Sequence, residues 1–229
     1  MKYKNIIEGK FISRPNRFIA KVDIDGKECI CHVKNTGRCK ELLTNGAAVY
    51  LEKSDNPERK TLYDLVAVYK GNELFNIDSQ APNKVFYEWL QSGKSCFENI
   101  TFIKPECKYK NSRFDFYVEA DGKRLFIEVK GVTLEINGVL TFPDAPTERG
   151  AKHLTELGEC LDEGYGAMAV FVVQTKRASY FTPNIERDPN FAKQLKAAYQ
   201  KGVEVICLNC NVTPDTLDID DYVEVKIDL

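Results

Sequence analysis

The sequence lacks any apolar run of the roughly 20 residues that a membrane-spanning helix needs. Its first residues, MKYKNIIEGKFISR, also lack the apolar segment of a secretory signal peptide. These two absences predict a cytoplasmic protein without a membrane partner. The chain contains no internal repeat and no low-complexity segment either, so it is not expected to form a repeat architecture.

A strong charge of one sign is also missing, since the net charge of the 229 residues is −2. This value by itself does not indicate a nucleic-acid partner. The distribution is less even: residues 1–80 carry 14 Lys and Arg against 11 Asp and Glu, whereas residues 81–229 carry 18 against 23. Any phosphate-binding surface must therefore be local.

The eight cysteines lack the pattern of a zinc module. Cys207 and Cys210 have zinc-ligand spacing, but there is no second CxxC pair. In a chain of this length without a secretion signal, reduced thiols in buried or half-buried positions are expected. A mixed site that includes Cys29 and Cys31, on one face of a strand, is the alternative.

The sequence contains enough apolar residues to form the core of one large or two small domains, since 43% of its residues are hydrophobic and 29% are charged. Residues 1–80 predict five short strands separated by Gly and Asn turns, which is typical of a small OB-like barrel. These strands are predicted at residues 17–24, 28–34, 47–53, 61–69 and 73–78.

Residues 81–229 alternate helix and strand, which predicts an α/β domain with a mixed sheet flanked by helices. Helices are expected at Pro82–Ser92, from a Thr147 cap to about Glu163, and at Pro189–Lys201. Strands are expected near residues 100–104, at 167–174 and at 203–208, the last two as buried apolar runs.

The most informative segment is a predicted hairpin. Two alternating runs, Arg113–Glu119 and Arg124–Lys130, flank Asp121–Gly122, the sequence of a two-residue type I′ turn. A turn centred there pairs residues whose numbers sum to 243. Asp115 would lie opposite Glu128, with Lys130 on the same face. Phe114, Phe116 and Val118 would form the buried face together with Leu125, Ile127 and Val129.

Two opposed carboxylates destabilise a sheet unless something bridges them. Mg²⁺, or Mn²⁺ in its place, suits this position, because Mg²⁺ takes one or two carboxylates and keeps waters for a phosphate. Asp115 and Glu128 would hold the ion, while Lys130 would orient a water or neutralise charge on phosphate. The alternative is an ordinary hairpin with a solvated polar face, and a bulged turn would break the pairing.

The spacing of Asp115 and Glu128-x-Lys130 resembles the PD-(D/E)xK nuclease superfamily. An ordered set of motifs along nearly the whole chain further resembles the sugar fermentation stimulation protein A (SfsA) family. These motifs are Arg14-Pro-Asn-Arg17-Phe18, His32-Val-Lys-Asn35-Thr36-Gly37, Asn56-Pro57-Glu-Arg59-Lys60, Ala81-Pro82-Asn83, Ser112-Arg113-Phe114-Asp115-Phe116, Glu128-Val-Lys130-Gly-Val-Thr133-Leu134, Phe142-Pro143-Asp144-Ala145, Glu148-Arg149-Gly150 and Lys152-His153-Leu154.

The resemblance implies an OB-like domain over residues 1–80 and a restriction-endonuclease-like PD-(D/E)xK domain over residues 81–229. It implies DNA binding without strong sequence preference and a regulatory link to sugar metabolism. Asp115, Glu128 and Lys130 are the catalytic residues that it carries over. Together with the resemblance, basic residues among the strands favour Arg14, Arg17, Asn35, Thr36 and Arg38 as nucleic-acid contacts.

Further candidates flank the hairpin. Glu88, on the preceding helix, is a third metal ligand or a solvated helix residue, and Glu106 has the same two interpretations. Arg149 and Lys152 could face phosphate at a helix N-terminus. His153 could join them or transfer a proton, the alternative being a charged first turn without a ligand. Asp144 is expected to cap this helix or to contact the metal.

Three functions fit these residues: a Mg²⁺-dependent endonuclease, a DNA-binding regulator without turnover, and an RNA-cleaving enzyme with the same site. DNA is favoured over RNA as the partner, although the residues themselves do not distinguish the two. A homodimer is compatible with the sequence, which does not set an oligomeric state.

Overall fold

The computed structural model describes residues 1–35 and 37–227 and contains two β-sheets. The first is built from β1 (Ile6–Asn16), β2 (Ile19–Ile24), β3 (Lys27–Val33), β4 (Ala48–Lys53), β5 (Tyr63–Lys70) and β6 (Glu73–Asn76). The second region contains α1 (Ala81–Gln91), β7 (Ile100–Tyr109), β8 (Ser112–Ala120), β9 (Lys123–Val132), β10 (Glu135–Ile136), β11 (Val139–Phe142), α2 (Glu148–Asp162), β12 (Gly166–Val173), β13 (Tyr180–Pro183), α3 (Pro189–Lys201), β14 (Glu204–Val212) and β15 (Leu217–Val225).

The N-terminal sheet is the predicted OB-like barrel. Its strands follow the order β3-β2-β1-β4-β5-β6, and pairing of β3 with β5 closes the first five into a ring. The sequence prediction missed β1, which pairs with both β2 and β4 at the centre of the sheet. Gly9 and Pro15 interrupt its strand pattern, and tertiary pairing overrides that weak local signal. The predicted fifth strand, β6, pairs with β5 in antiparallel orientation and lies outside the ring.

The second sheet is mixed, as predicted, in the order β10-β11-β13-β15-β14-β12-β9-β8-β7. α1 covers one face, and α2 and α3 cover the other. β12 is buried along nearly its whole length because it lies between parallel strands β9 and β14 and helices cover both of its faces. Sequence patterns missed β10, β11, β13 and β15. The first three have only two to four residues, too few to show an alternating pattern, and the acidic β15 has no regular alternation of apolar residues.

The three helices confirm the helix predictions. Thr147 caps α2 as predicted, by accepting a hydrogen bond from the Gly150 N–H at 3.0 Å, and the alternative cap, Asp144, is not used. Asp188 caps α3 in the same way, and Gly202 ends that helix with φ of 111°, a left-handed conformation that glycine adopts at low cost. No helix within the described ranges has both the length and the apolar character needed to cross a bilayer.

The central hairpin has the predicted turn and register. Asp121 and Gly122 have φ of 52° and 72°, as a type I′ turn requires, and Phe116 pairs with Ile127. The predicted buried face is wrong at Phe114. This ring packs towards α2, whereas Phe116 packs towards α1. The paired ladder of β8 and β9 ends at Phe116, so the predicted pairing of Asp115 with Glu128 is not part of it and side-chain alternation is interrupted at Asp115.

A buried polar network joins the barrel to the α/β region next to residue 80, the predicted boundary. The Asp78 carboxylate accepts from the Tyr3 hydroxyl at 3.3 Å and pairs with the Lys34 ammonium at 2.9 Å. The Gln174 side-chain amide donates to Asn76 Oδ1 at 2.8 Å and to the Asp78 carbonyl at 3.0 Å. The Asp78 carboxylate also accepts from the backbone N–H of Gln80, which fixes the start of α1 against the barrel.

Candidate metal and nucleic-acid site

Asp115 is held at the point where β8 separates from β9. Its Oδ2 accepts a hydrogen bond from the Val129 backbone N–H at 2.8 Å, and its Oδ1 accepts one from the Asn83 side chain, also at 2.8 Å. Pro82 places Asn83 in the first turn of α1, directly over the strand. The Asp115 side chain therefore accepts from the backbone N–H of Val129, the residue after Glu128. This hydrogen bond brings the two acidic residues near each other.

Glu128 lies on the α2 side of the sheet and is 3% exposed. Its Oε1 accepts hydrogen bonds from Lys130 Nζ and, at 2.5 Å, from Nδ1 of His153 on α2. The predicted placement of Glu128 and Lys130 on one face is therefore seen directly. Its other oxygen, Oε2, is buried and receives no hydrogen bond from the described part of the chain.

The electrostatics of the two carboxyls differ. Burial, followed by the nearby charge of Glu128, raises the pKa of Asp115. Burial alone would also raise the pKa of Glu128, but the hydrogen bond from His153 and the charge of Lys130 outweigh it and hold this pKa below its usual value. Glu128 is thus stabilised as an anion, whereas the anionic form of Asp115 is disfavoured and would gain more from a nearby cation.

These residues fit a divalent cation of the Mg²⁺ type. An unpaired buried oxygen on Glu128 and a nearby carboxylate with a raised pKa both gain from a positive charge between them. No cluster of three or more His, Cys, Asp or Glu suited to a metal occurs among residues 1–35 and 37–227. Two carboxylates are nevertheless the protein ligand set that Mg²⁺ uses when waters and phosphate complete its shell.

Glu88 and Glu106 do not join this cluster. Glu88 pairs with the N-terminal ammonium of Met1 at 2.6 Å, and its side chain is 54% exposed. The α1 residue that contacts Asp115 is Asn83, five residues before Glu88. Glu106 is exposed and pairs with Arg113 at 3.3 Å. The structure therefore corrects the prediction of Glu88 as a metal ligand.

The first turns of α2 divide into exposed and buried residues. Arg149 is exposed, and Lys152 is exposed with its ammonium 3.6 Å from Glu156. His153 faces inwards, 3% exposed, with its ring against Phe114 at 5.8 Å. It cannot contact nucleic acid from this position, so the predicted role is corrected. His153 instead orients the Glu128 carboxylate.

Comparison with known proteins agrees with this architecture. Residues 80–216 match the family profile described as the sugar fermentation stimulation protein RE domain, and residues 12–77 match the SfsA N-terminal OB domain. The chain belongs to the sugar fermentation stimulation protein (SfsA) family.

Relatives of this SfsA-family chain match it from end to end. Sugar fermentation stimulation protein homologs of Clostridium beijerinckii and Desulfitobacterium hafniense are each 57% identical, over 98% and 99% of this chain and 99% of each relative. The solved structure of Pyrococcus furiosus SfsA in complex with Ca²⁺ is also similar. It is 27% identical, with a TM-score of 0.86 over 99% of this chain and 98% of that one.

Arg14 does not present its charge to a ligand. Its guanidinium donates to four backbone carbonyls at 2.6–2.7 Å, those of Arg17, Asn35, Gly37 and Arg38. These bonds occupy both terminal nitrogens and fix the loop that follows β3. The structure therefore corrects the predicted nucleic-acid contact: Arg14 holds the loop in this SfsA-family barrel.

The remaining barrel candidates lie around that loop. Arg17 and Arg38 are exposed, and with Lys40 they line one concave surface. The Arg17 guanidinium lies 5.5 Å from the centre of the Phe18 ring, which is 50% exposed. Asn35 is occupied, since it donates to the Ile77 carbonyl and accepts from the Gly37 N–H. The prediction for Thr36 lies outside the described residues.

Sequence analysis assigned no role to Asn83 and expected a different role for Asp144. Asn83 holds Asp115, and its signal was its place directly after a proline at a helix start. Asp144 faces a cavity between the barrel and the sheet, next to Gly37. No local pattern distinguishes such a residue from a helix cap, because the cavity exists only when the two regions pack together.

Proposed function

We propose that this SfsA-family protein binds DNA through its backbone, largely without sequence preference, and that Asp115 and Glu128 hold a divalent cation that contacts a phosphate. The observation that carries the proposal is that the Asp115 carboxylate is fixed on the backbone N–H of Val129, next in the chain to Glu128, whose buried Oε2 has no partner among the described residues. Mg²⁺ or Mn²⁺ suits the oxygen ligands. The Ca²⁺ complex of the Pyrococcus furiosus relative supports a hard cation.

The barrel supplies the electrostatic part of the proposal. Exposed Arg17, Arg38 and Lys40 on one concave surface, next to the half-exposed Phe18 ring, are the side chains that bind phosphates and stack on bases. Arg149 and Lys152 add positive charge at the start of α2. Binding inside the cytoplasm fits the eight free thiols. Any effect on sugar metabolism would follow from this binding.

A second candidate function, hydrolysis of the bound phosphodiester, is favoured by the groups around Glu128. A bound Mg²⁺ would activate a water and stabilise charge on the phosphate. Lys130, 23% exposed, could turn from Glu128 towards a phosphate oxygen and neutralise developing charge. His153 holds Glu128 in place, and Asn83 holds Asp115, so both carboxylates are oriented before substrate arrives.

Salt-dependent binding tests the first function. Affinity for a labelled 20-base-pair duplex is measured by fluorescence anisotropy over a series of salt concentrations. The variant Arg17→Ala/Arg38→Ala should bind more weakly and should flatten the plot of log affinity against log salt by about 2, for two lost phosphate contacts. Lys123→Ala, an exposed lysine in the hairpin, is the matched control. Equal slopes in all three proteins would contradict the proposed surface.

Cleavage tests the second function. Purified protein is incubated with supercoiled plasmid and Mg²⁺ or Mn²⁺. Wild type should nick or linearise the plasmid, whereas Glu128→Gln and Lys130→Ala should lower the rate at least roughly 100-fold. Asp220→Asn, which removes an exposed carboxylate on β15, should leave the rate unchanged. Equal amounts of uncut plasmid with wild type and Glu128→Gln would end the case for hydrolysis and leave DNA binding standing.

A further inference from the structure

A small cavity lies between the barrel and the carboxyl ends of β9 and β12. Its volume is about 170 Å³. Asn35 borders it from the barrel loop, and Thr133, Phe142, Asp144 and Gln174 border it from the α/β region. Ligands of α/β sheets commonly bind beyond the carboxyl ends of parallel strands. None of the residues assigned to the cation site, Asp115, Glu128 and Lys130, lines this cavity.

Gln174 presents a fixed hydrogen-bond acceptor. Its amide nitrogen donates to Asn76 Oδ1 and to the Asp78 carbonyl, which determines how the amide is oriented. Its Oε1 therefore points away from the network, towards Gly131. A Cβ at Gly131 would lie 2.6 Å from this oxygen, so glycine is what allows the amide to sit there.

Asp144 adds a charged acceptor. Its carboxylate is half-buried and receives no hydrogen bond or ion pair from any residue within 1–35 or 37–227. Its Oδ2 lies against Gly37, where a Cβ would come within 2.6 Å. Two acceptors, one of them an anion, disfavour phosphate in this cavity. They favour a ligand that offers N–H donors.

The remaining lining sets the shape of the ligand. Phe142 is fixed by rings on two elements, with its centroid 5.8 Å from Phe171 and 5.1 Å from Phe191. It offers an apolar ring surface beside the acceptors. Cavities for whole cofactors or drug-sized ligands hold about 300–1,000 Å³. This cavity is smaller and matches a single flat heterocycle.

We propose that this cavity binds one unpaired nucleobase that carries an exocyclic amino group, cytosine, adenine or guanine, and so directs the protein to single-stranded or locally opened nucleic acid. The amino group donates to Asp144 and a second N–H or C–H edge faces Gln174, while thymine would turn a carbonyl oxygen towards the carboxylate. A Watson–Crick partner would occupy the same amino group, so the base enters unpaired.

The position of the cavity links it to the cation site, and in this respect the inference rests on the proposed function. Gly131 follows Glu128 by three residues on β9, about 10 Å along the strand. A strand whose phosphate lies at Glu128 and Asp115 can therefore place a neighbouring base in the cavity.

The first experiment compares 12-nucleotide strands of thymidine that carry one central dC, dA or dT, with binding measured by anisotropy in Ca²⁺ buffer. Wild type should bind the dC and dA strands about tenfold more tightly than all-dT. Asp144→Asn keeps the shape but can donate to a carbonyl, so it should reduce this ratio below twofold. Asp220→Asn should keep it. Equal preference in Asp144→Asn and wild type, or no preference in wild type, would overturn the inference.

The second experiment separates the base site from DNA binding. Cytidine and thymidine are compared as free nucleosides by ligand-observed NMR, with wild type and with Thr133→Leu, which fills the cavity. Cytidine should bind wild type but not Thr133→Leu, and it should bind wild type more tightly than thymidine does. If no strand binds but cytidine does, the DNA-binding proposal fails and the cavity is a site for a free nucleoside. If strands bind without base preference and cytidine does not bind, the cavity proposal fails alone.

Discussion

Replacing Asp115 by asparagine should stabilise the protein in the absence of a cation. The charge of Glu128 raises the pKa of Asp115, and charges that interact in this way usually lie about 4–6 Å apart. Repulsion between unit charges at that distance is about 3 kcal/mol at an effective dielectric constant near 20. The neutral asparagine side chain weakens the two charge-assisted hydrogen bonds from Asn83 and Val129, at a cost of about 2 kcal/mol.

The net gain is therefore about 1 kcal/mol, which is about 2–4 °C in Tm for a chain of this size. The gain depends on pH in a defined direction. Because burial and Glu128 raise the pKa of Asp115 in the folded protein, the folded state binds its proton more tightly than the unfolded chain does. The charge on Asp115 thus lowers the stability of the folded protein as pH rises above about 4. The stabilisation by Asp115→Asn should therefore be present at pH 7 and disappear below about pH 4.

A cation should reverse the order of the two proteins. At a cation concentration ten times Kd, binding stabilises wild type by about 1.4 kcal/mol, or about 3–6 °C. Asp115→Asn lacks one of the two carboxylates and should gain almost nothing. Calorimetric Tm values in EDTA and in Mn²⁺, for wild type, Asp115→Asn and Asp220→Asn, measure both effects.

Two results would refute this reasoning. A lower Tm of Asp115→Asn in EDTA would mean that the carboxylates do not repel each other appreciably in the folded state. A Tm increase in Mn²⁺ that equals that of wild type would mean that Asp115 is not a ligand.

Three further variants test the surroundings of the site. Arg14→Ala removes four hydrogen bonds to loop carbonyls and should lower the free energy of unfolding in urea by about 2–3 kcal/mol, whereas Arg14→Ala with unchanged stability would contradict its structural role. Lys34→Met leaves the buried Asp78 carboxylate without its cation and should cost about 3 kcal/mol by the same measurement; a cost under about 0.5 kcal/mol would exclude an important pair. Asn83→Ala should weaken Mn²⁺ binding by calorimetric titration roughly 10- to 100-fold at unchanged stoichiometry, and an unchanged affinity would show that Asp115 needs no support.

The hairpin illustrates how far local patterns reach. Alternation and the Asp121–Gly122 dipeptide determine turn type and register, because both depend only on neighbouring residues and on backbone twist. They do not determine where the ladder ends. Asp115 lies beyond the ladder, where Asn83, 32 residues earlier, donates to its carboxylate.

Single residue types gave correct chemistry but incomplete assignments. An arginine among barrel strands is a reasonable phosphate contact, yet Arg14 turns inwards because the loop after β3 presents three carbonyls to it and the β1–β2 turn a fourth. His153 in a charged helical turn has the composition of a ligand residue, but the helix rotation set by the α2 core directs it to Glu128. Glu88 is on the predicted helix, five residues beyond the one that reaches the site.

The sequence alone determined the two-region architecture, the three helices, the central turn and the placement of Glu128 and Lys130 on one face, since each of these is encoded in local period, capping or turn chemistry. Tertiary structure decided which oxygen is left unpaired, which basic side chains remain exposed and that a cavity opens beside the acids. Those features arise from contacts between residues far apart in the chain, such as Asn83 with Asp115 and the barrel loop with Asp144, whose geometry no local pattern specifies.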